Sequence, residues 1–399
     1  MRIAFVCGGL GLGGVADYTR LLARELKPKG IESLVIALAD RQAQALTRGT
    51  AGDLPTLIIP ASTPWRERIA AAEAALDAFA PDWTSLQFVP FGFNRKGVIA
   101  VEGRWLARLF AGHPLQIMLH ELWVEPLPGS APLRRRILRA AQRRFILRLL
   151  KDAKPALLHT SNAVYQALLA EAGLQTKPLP LFGNIPIDAN ADRAWLDAAL
   201  SQAGLDLSHR PLLFGFFGGV DPNWDSGPLL GGLMEALRSL GRSGVVLSVG
   251  SAGSIAERMQ SWRSQYPDLR FLALGVQSVE RISAYLQALD FGLTSYPYAL
   301  LGKSSSVVSM LEHGVPVIVS WGDLRPDLPS LEREWNSAVL PPGADLAAFL
   351  HARHERRIRG SRLPEVASMM LRDLQTAAER GRGSAESAFS RLSSGKKRK

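Results

Sequence analysis

The sequence predicts an α/β fold made of two Rossmann-like domains in tandem. Short apolar runs alternate with stretches of helical period, in two rounds separated by a break. The runs are continuous instead of alternating, as expected of strands covered on both faces in a parallel sheet between helical layers. The length of 399 residues favours two domains, and at 47% hydrophobic residues each can bury a core of its own.

In the first round, strands are expected at 2–7, 33–38, 56–59, 85–89, 115–119, 157–160 and 178–181. Helices fall between them, for example at 15–27, 65–79 and 97–111, bounded by Gly and Pro. The break is FGNIPIDAN, a helix near 192–202 and GLDLSHRP. Second-round strands follow at 212–216, 244–249, 269–274, 290–294 and 315–319. The stretch 344–392 reads as mainly helical and able to pack back across the first domain. The expected division is 1–205 for a first Rossmann-like domain and 206–360 for a second, with 361–399 a returning helix and basic tail. There is no internal sequence repeat.

Bulk properties narrow the class. No apolar run approaches the roughly 18 residues of a membrane span, and the start MRIAFVCGG lacks the pattern of a secretion signal. A cytoplasmic protein is the expectation. The single Cys7 excludes an internal disulfide and a thiolate zinc cluster, and the seven His show no metal-ligand spacing, so no metal is expected.

The net charge of +11 is unevenly distributed. The stretch 134–154, RRRILRAAQRRFILRLLKDAK, runs from Arg134 to Lys154 with nine Lys or Arg and one acid, Asp152. On a helical wheel Ile137, Leu138, Ala141, Phe145 and Leu149 share one side, with Arg135, Arg136, Arg139, Arg143 and Lys151 largely opposite. Two readings fit: a helix packed on its own domain with a solvated arginine face, or a peripheral anchor on an anionic membrane surface. No nucleic-acid motif or aromatic interleaving accompanies the charge, so no nucleic-acid partner is expected. The closing KKRK reads as a frayed end.

Ligands of open parallel sheets bind beyond the carboxyl ends of the strands, which selects a few loops. After the first strand, Gly9, Gly11 and Gly14 satisfy G-x-G-x-x-G, with Asp40 after the second strand. The spacing fits a dinucleotide, yet it guarantees only that an anion can approach a helix start. After the fifth strand His120 and Glu121 form a polar pair: His120 reads either as a contact to a sugar hydroxyl or developing charge or as a capping or core-edge histidine, and Glu121 as a base for an acceptor hydroxyl. The run from Gln87 to Asn94 supplies aromatic and amide groups, and Gly218 and Gly219 give another close-approach loop. The segment from His159 to Asn162 reads as a helix cap after a strand.

The segment 301–320, LGKSSSVVSMLEHGVPVIVS, has two readings, a nucleotide-sugar seat or an ordinary αβ unit with a serine N-cap and a solvated glutamate. Lys303 precedes a helix opened by Ser304, Ser305 and Ser306, where orphan N–H groups and the helix dipole favour a diphosphate. Glu312 lies two turns on, and a carboxylate suits the paired hydroxyls of a ribose.

On GGVADYTRLLARELKPKGIE and GKSSSVVSMLEHGVPVIVS, the chain resembles the GT-B glycosyltransferases, most closely the retaining enzymes of family 4. The resemblance spans nearly the whole chain. It implies two Rossmann-like domains facing each other across a cleft, with C-terminal helices crossing back to the first. It also implies an acceptor-side domain at 1–205 and a donor domain at 206–360, with Gly13 and Gly14 near the donor phosphates, His120 against the transferred sugar and Glu312 on the ribose. Two positions depart from the family pattern. Ser304 stands where a first glutamate is common, eight positions before Glu312, and the loop from Phe217 to Trp224 lacks the usual cationic pair. Lys303 is then the candidate for the compensating charge, aided by the N–H groups of Ser304 and Ser305.

The function so implied is transfer of a sugar from a nucleoside diphosphate sugar to a hydroxyl of a glycan, glycolipid or lipid-linked precursor. Retention of configuration is expected, with no cofactor beyond the co-substrate. The alternatives are a nucleotide-sugar epimerase of the same fold, a dinucleotide oxidoreductase at Gly9 to Gly14, and a catalytically degenerate nucleotide-sugar binder.

Overall fold

The computed structural model describes all residues except Leu12, 125–131, 206–207, 222–223, 251–252, 323–332, 353–357 and 396–399, and only the backbone of 253–254, 333–334, 336 and 381–395. The KKRK tail and two positions of the loop after residue 217 therefore lie outside the described residues.

The chain forms two compact units. The first comprises 1–161, 165–180 and the chain from Leu363 onward, so the C-terminal helix Leu363–Gly395 belongs with the first unit. The second comprises 162–164 and 181–362. The main division falls after Pro180, earlier than the expected 205/206. The reason is packing: Ile185, Leu196 and Leu200 are buried in the second unit's core with Leu213, Leu247 and Leu286.

The first unit holds β1(Arg2–Cys7), β2(Glu32–Asp40), β3(Thr47–Ala51), β4(Leu54–Pro60), β5(Trp83–Phe88), β6(Leu115–Leu119), β7(Leu157–Thr160) and β8(Lys177–Pro178). They form one sheet in the order β3-β4-β2-β1-β5-β6-β7-β8. Seven strands run parallel, and β3 pairs antiparallel with β4. The sequence reading missed β3 because TRGTA carries no apolar run; it is an exposed edge strand held by backbone pairing. The sheet's order reverses between β1 and β5, the switch point at which such sheets leave a crevice. Gly8 sits there of necessity, since a Cβ on it would meet the Gly92 carbonyl oxygen at 2.7 Å.

The second unit holds β9(Leu212–Phe217), β10(Gly244–Val249), β11(Leu269–Ala273), β12(Phe291–Thr294), β13(Val317–Val319) and β14(Val339–Leu340), in the order β11-β10-β9-β12-β13-β14, all parallel. Its switch point lies between β9 and β12, which brings the Gly218 turn and the segment before Ser305 to the same end of the sheet.

The helix Leu133–Ala153 buries Gln142, Ile146, Leu149 and Leu150, a different stripe from the expected one. Leu133 is 69% and Ile137 61% exposed. No helix among the described residues is long and apolar enough to cross a membrane.

Candidate functional site

In the first unit the glycine loop opens the helix Gly14–Leu26, whose first turn has no side-chain cap. Beside that helix start lies a cavity of about 410 Å³, lined by the glycines from Gly8 to Gly14 and by Asp40, Arg41, Gln87 and Phe91. Asp40 does not present a free carboxylate to this cavity. Its Oδ2 accepts the Leu10 N–H at 2.7 Å, and its Oδ1 accepts those of Gln42 at 2.8 Å and Ala43 at 3.0 Å. Burial alone would push its carboxyl up, but these backbone N–H groups, with that of Gly11, hold it below the usual carboxylate range. The acid of the dinucleotide fingerprint thus shapes its own glycine loop.

His120 follows β6 and is 7% exposed. Its ring meets Tyr18 edge-on, with centroids 4.7 Å apart. Its Nε2 lies 2.9 Å from Gln87 Oε1. Burial pushes the imidazole down to about 3, so it is neutral at ordinary pH. Glu121 is half-buried in the same loop.

Behind His120 runs a file of polar side chains that the sequence reading did not connect. Gln87 Nε2 donates to Ser85 Oγ at 2.7 Å, and Ser85 Oγ donates to Gln116 Oε1 at 2.6 Å. Gln116 Nε2 lies 3.0 Å from His159 Nδ1, and His159 Nε2 lies 3.0 Å from Asp373 Oδ2. Lys177 donates to the other Asp373 oxygen. His159, read as part of a cap, is fully buried in this file. The available signal was polar residues inside apolar strands: Ser85 and Gln87 in TSLQF, Gln116 in LQIML and His159 in LLHT.

In the second unit Lys303 ends a 3₁₀ segment, Tyr298–Lys303, and the helix Ser305–Glu312 follows. Ser304 is the N-cap, its Oγ accepting the Val307 N–H at 3.3 Å. The Ser304 N–H, expected to serve a diphosphate, instead donates to Leu301 O at 3.0 Å, closing the 3₁₀ turn. The first-turn N–H groups of Ser305 and Ser306 are the ones the helix itself leaves over. Gly218, at φ 88°, lies against Ser306: a Cβ on it would stand 3.8 Å from Ser306 Cβ. Gly219 next to it has open space around it. Lys303, Ser305 and Ser306 are half-buried.

Glu312 is placed differently from the sequence expectation of a ligand-facing carboxylate. It is fully buried, and its Oε1 accepts the N–H groups of Gly183 and Arg362, both at 3.0 Å. Its Oε2 lies against Gly183, where a Cβ would stand 2.4 Å away, and has no hydrogen-bond partner among the described residues. Burial raises its carboxyl above the ordinary value, with the N–H groups of Arg362 and Gly183 opposing. The cause is the burial of its helix: all of Val307 to Glu312 are inside. Ser309, one turn before, ties the same loop through Asn184. Among the described residues no group of three or more His, Cys, Asp and Glu converges.

No protein-family model and no curated protein sequence matches the chain. Solved structures do. Sucrose-phosphate synthase from Thermosynechococcus elongatus matches with a TM-score of 0.56 at 15% identity, covering 98% of this chain and 99% of that one. HepE from Anabaena, solved in complex with UDP and glucose, matches with 0.55 at 14%, covering 97% and 100%. UDP-GlcNAc 2-epimerase from Methanocaldococcus jannaschii matches with 0.50 at 13%, covering 94% and 100%. The fold is GT-B, as the sequence resemblance implied.

Proposed function

We propose that this protein is a glycosyltransferase that moves a sugar from a nucleoside diphosphate sugar to an acceptor hydroxyl, with retention of configuration and without a metal. The observation that carries the reading is the convergence at the switch point of the second unit: Lys303, the Ser305 helix start and the Gly218 turn occupy the end of the sheet where a nucleotide is held. The N–H groups of Ser305 and Ser306 and the helix dipole bind the diphosphate, with Lys303 as the nearby cation. Leaving-group charge is then stabilised by the protein itself. Gly218 and Gly219 admit the donor closely, and Gly13 and Gly14 open the helix that flanks the first unit's cavity. His120 contacts the transferred sugar, and Glu121 the acceptor hydroxyl. Glu312 supports the seat from behind by fixing Gly183 and Arg362 to its helix.

The protein is incubated with radiolabelled nucleotide sugars, UDP-glucose first since a fold neighbour was solved with UDP and glucose. Donor hydrolysis or transfer supports the reading, and inertness with every common donor overturns it. The epimerase fold neighbour favours one other outcome, conversion of the donor's sugar with no acceptor present. A dinucleotide oxidoreductase is disfavoured by Asp40, whose oxygens bind backbone N–H groups where a ribose would need them.

The acceptor class we infer is lipid-linked, presented at an anionic membrane surface to the helix Leu133–Ala153. Its exposed Leu133 and Ile137 are one turn apart and flanked by exposed Arg134, Arg136 and Arg144, the pairing of apolar and basic groups that interfacial helices use.

A further inference from the structure

We propose that Asp373, on the C-terminal helix, is a positioning residue that fixes the tautomer of His120 through a one-directional chain of hydrogen bonds across the first unit's sheet. The chain is His120, Gln87, Ser85, Gln116, His159, Asp373, with five contacts of 2.9, 2.7, 2.6, 3.0 and 3.0 Å. Its path follows the pleat. Ser85 and Gln87 share one face of β5, Gln116 stands opposite Ser85 in register on β6, and His159 on β7 stands opposite Lys177 on β8. Ser85, Gln116 and His159 are wholly buried, and Gln87 is 1% exposed.

The direction follows from which atoms can donate. The Asp373 carboxylate only accepts, so His159 Nε2 carries the hydrogen. Lys177 meets the other carboxylate oxygen and supplies its counter-charge, and the imidazole is taken with that single hydrogen. His159 Nδ1 then holds a lone pair and accepts from Gln116 Nε2. That turns Gln116 Oε1 toward Ser85, whose hydroxyl donates to it. Ser85 Oγ accepts from Gln87 Nε2, which turns Gln87 Oε1 toward His120. His120 Nε2 must donate, and His120 Nδ1 is left with its lone pair. With the carboxylate at its end and a single hydrogen on His159, the chain has no second arrangement in which every contact pairs a donor with an acceptor. A donor in place of that carboxylate reverses every link: both amides turn over, and the His120 hydrogen moves to Nδ1.

The chain therefore decides whether His120 Nδ1 is an acceptor or a donor. On the reading of His120 as the sugar contact, it meets a sugar hydroxyl as an acceptor, and this consequence alone rests on that reading.

The test is the protonation pattern of His120, read by two-bond proton–nitrogen correlation NMR on the full chain labelled at its seven histidines, with His120 assigned by His120→Gln. No sugar substrate is needed, so its failure is separate from failure of the transferase reading. The wild-type protein is expected to carry hydrogen on Nε2 of both His120 and His159. In Asp373→Asn, Lys177 draws the amide oxygen and leaves the NH₂ facing His159, so both histidines are expected to exchange to the Nδ1 form. Adding Gln116→Met to Asp373→Asn breaks the wire and is expected to abolish the dependence of His120 on position 373. Ser85→Ala, which leaves the far end intact, is expected to give a mixture at His120 with His159 unchanged. A wild-type His120 protonated at Nδ1 overturns the proposal. So does His120 retaining Nε2–H in Asp373→Asn while His159 exchanges, or His120 keeping one tautomer in Ser85→Ala.

Discussion

Asp40 Oδ2 accepts the backbone N–H of Leu10 at 2.7 Å, across thirty positions of sequence. The carboxylate that completes a dinucleotide fingerprint in the sequence is thereby a brace for the glycine loop. Hydrogen bonds to a charged group contribute about 1.5–3 kcal/mol each in a buried setting. Asp40→Ala is expected to lower unfolding free energy by about 2–4 kcal/mol, measured by urea titration. NAD is expected to leave the thermal midpoint of the wild-type protein unchanged, whereas UDP raises it. A midpoint raised by NAD alone would restore the oxidoreductase reading.

Lys303→Ala is expected to weaken UDP binding about tenfold in isothermal titration calorimetry, which corresponds to about 1.4 kcal/mol. Lys303 is half-buried at the end of a 3₁₀ segment, so the thermal midpoint of the variant is measured alongside to separate loss of binding from loss of stability. Unchanged affinity would remove Lys303 from the donor seat.

His120 makes stability depend on pH. Its folded value, about 3, lies below the ordinary 6.5, so the unfolded chain binds the proton more readily. Stability from this group is complete above pH 6.5 and lost as pH falls toward 3, by about 1.4 kcal/mol per pH unit. His120→Gln is expected to flatten the unfolding free energy between about pH 6 and 4 by up to that slope, seen in denaturant titrations across the range.

Glu312 acts in the opposite sense. Its folded carboxyl is raised above the ordinary 4.5, so its contribution is greatest below that value and declines as pH rises through the folded one. Glu312→Gln keeps an acceptor for Gly183 and Arg362 and removes the titration. The variant is expected to lose less stability than wild type as pH rises above 4.5, and an identical decline would contradict the burial of this carboxylate.

Leu133→Asp with Ile137→Asp is expected to reduce sedimentation with vesicles containing phosphatidylserine by tenfold or more, since each change removes an apolar group and adds a charge at the surface. Binding to neutral vesicles should be weak for both proteins. Equal binding of the variant would leave the helix as an ordinary domain surface.

Sequence by itself determined the two rounds of parallel strands, the glycine loop and the helix start after Lys303, while the GT-B fold was implied by resemblance to a family. Each depends on neighbours within a few positions, on apolar runs long enough for a strand or on residues a turn requires. Tertiary structure alone decided where side chains point. Asp40 turned to the glycine loop and Glu312 to Gly183 and Arg362, because a buried carboxylate takes the donors that packing brings to it. The helix Leu133–Ala153 buried Ile146 and left Ile137 outside, since several apolar stripes were available on that wheel and the domain surface selected one. His159 and Asp373, 214 positions apart, met only because the last helix returns to the first sheet. Local pattern specifies backbone; the partner of a buried polar group is specified by whatever the whole chain folds against it.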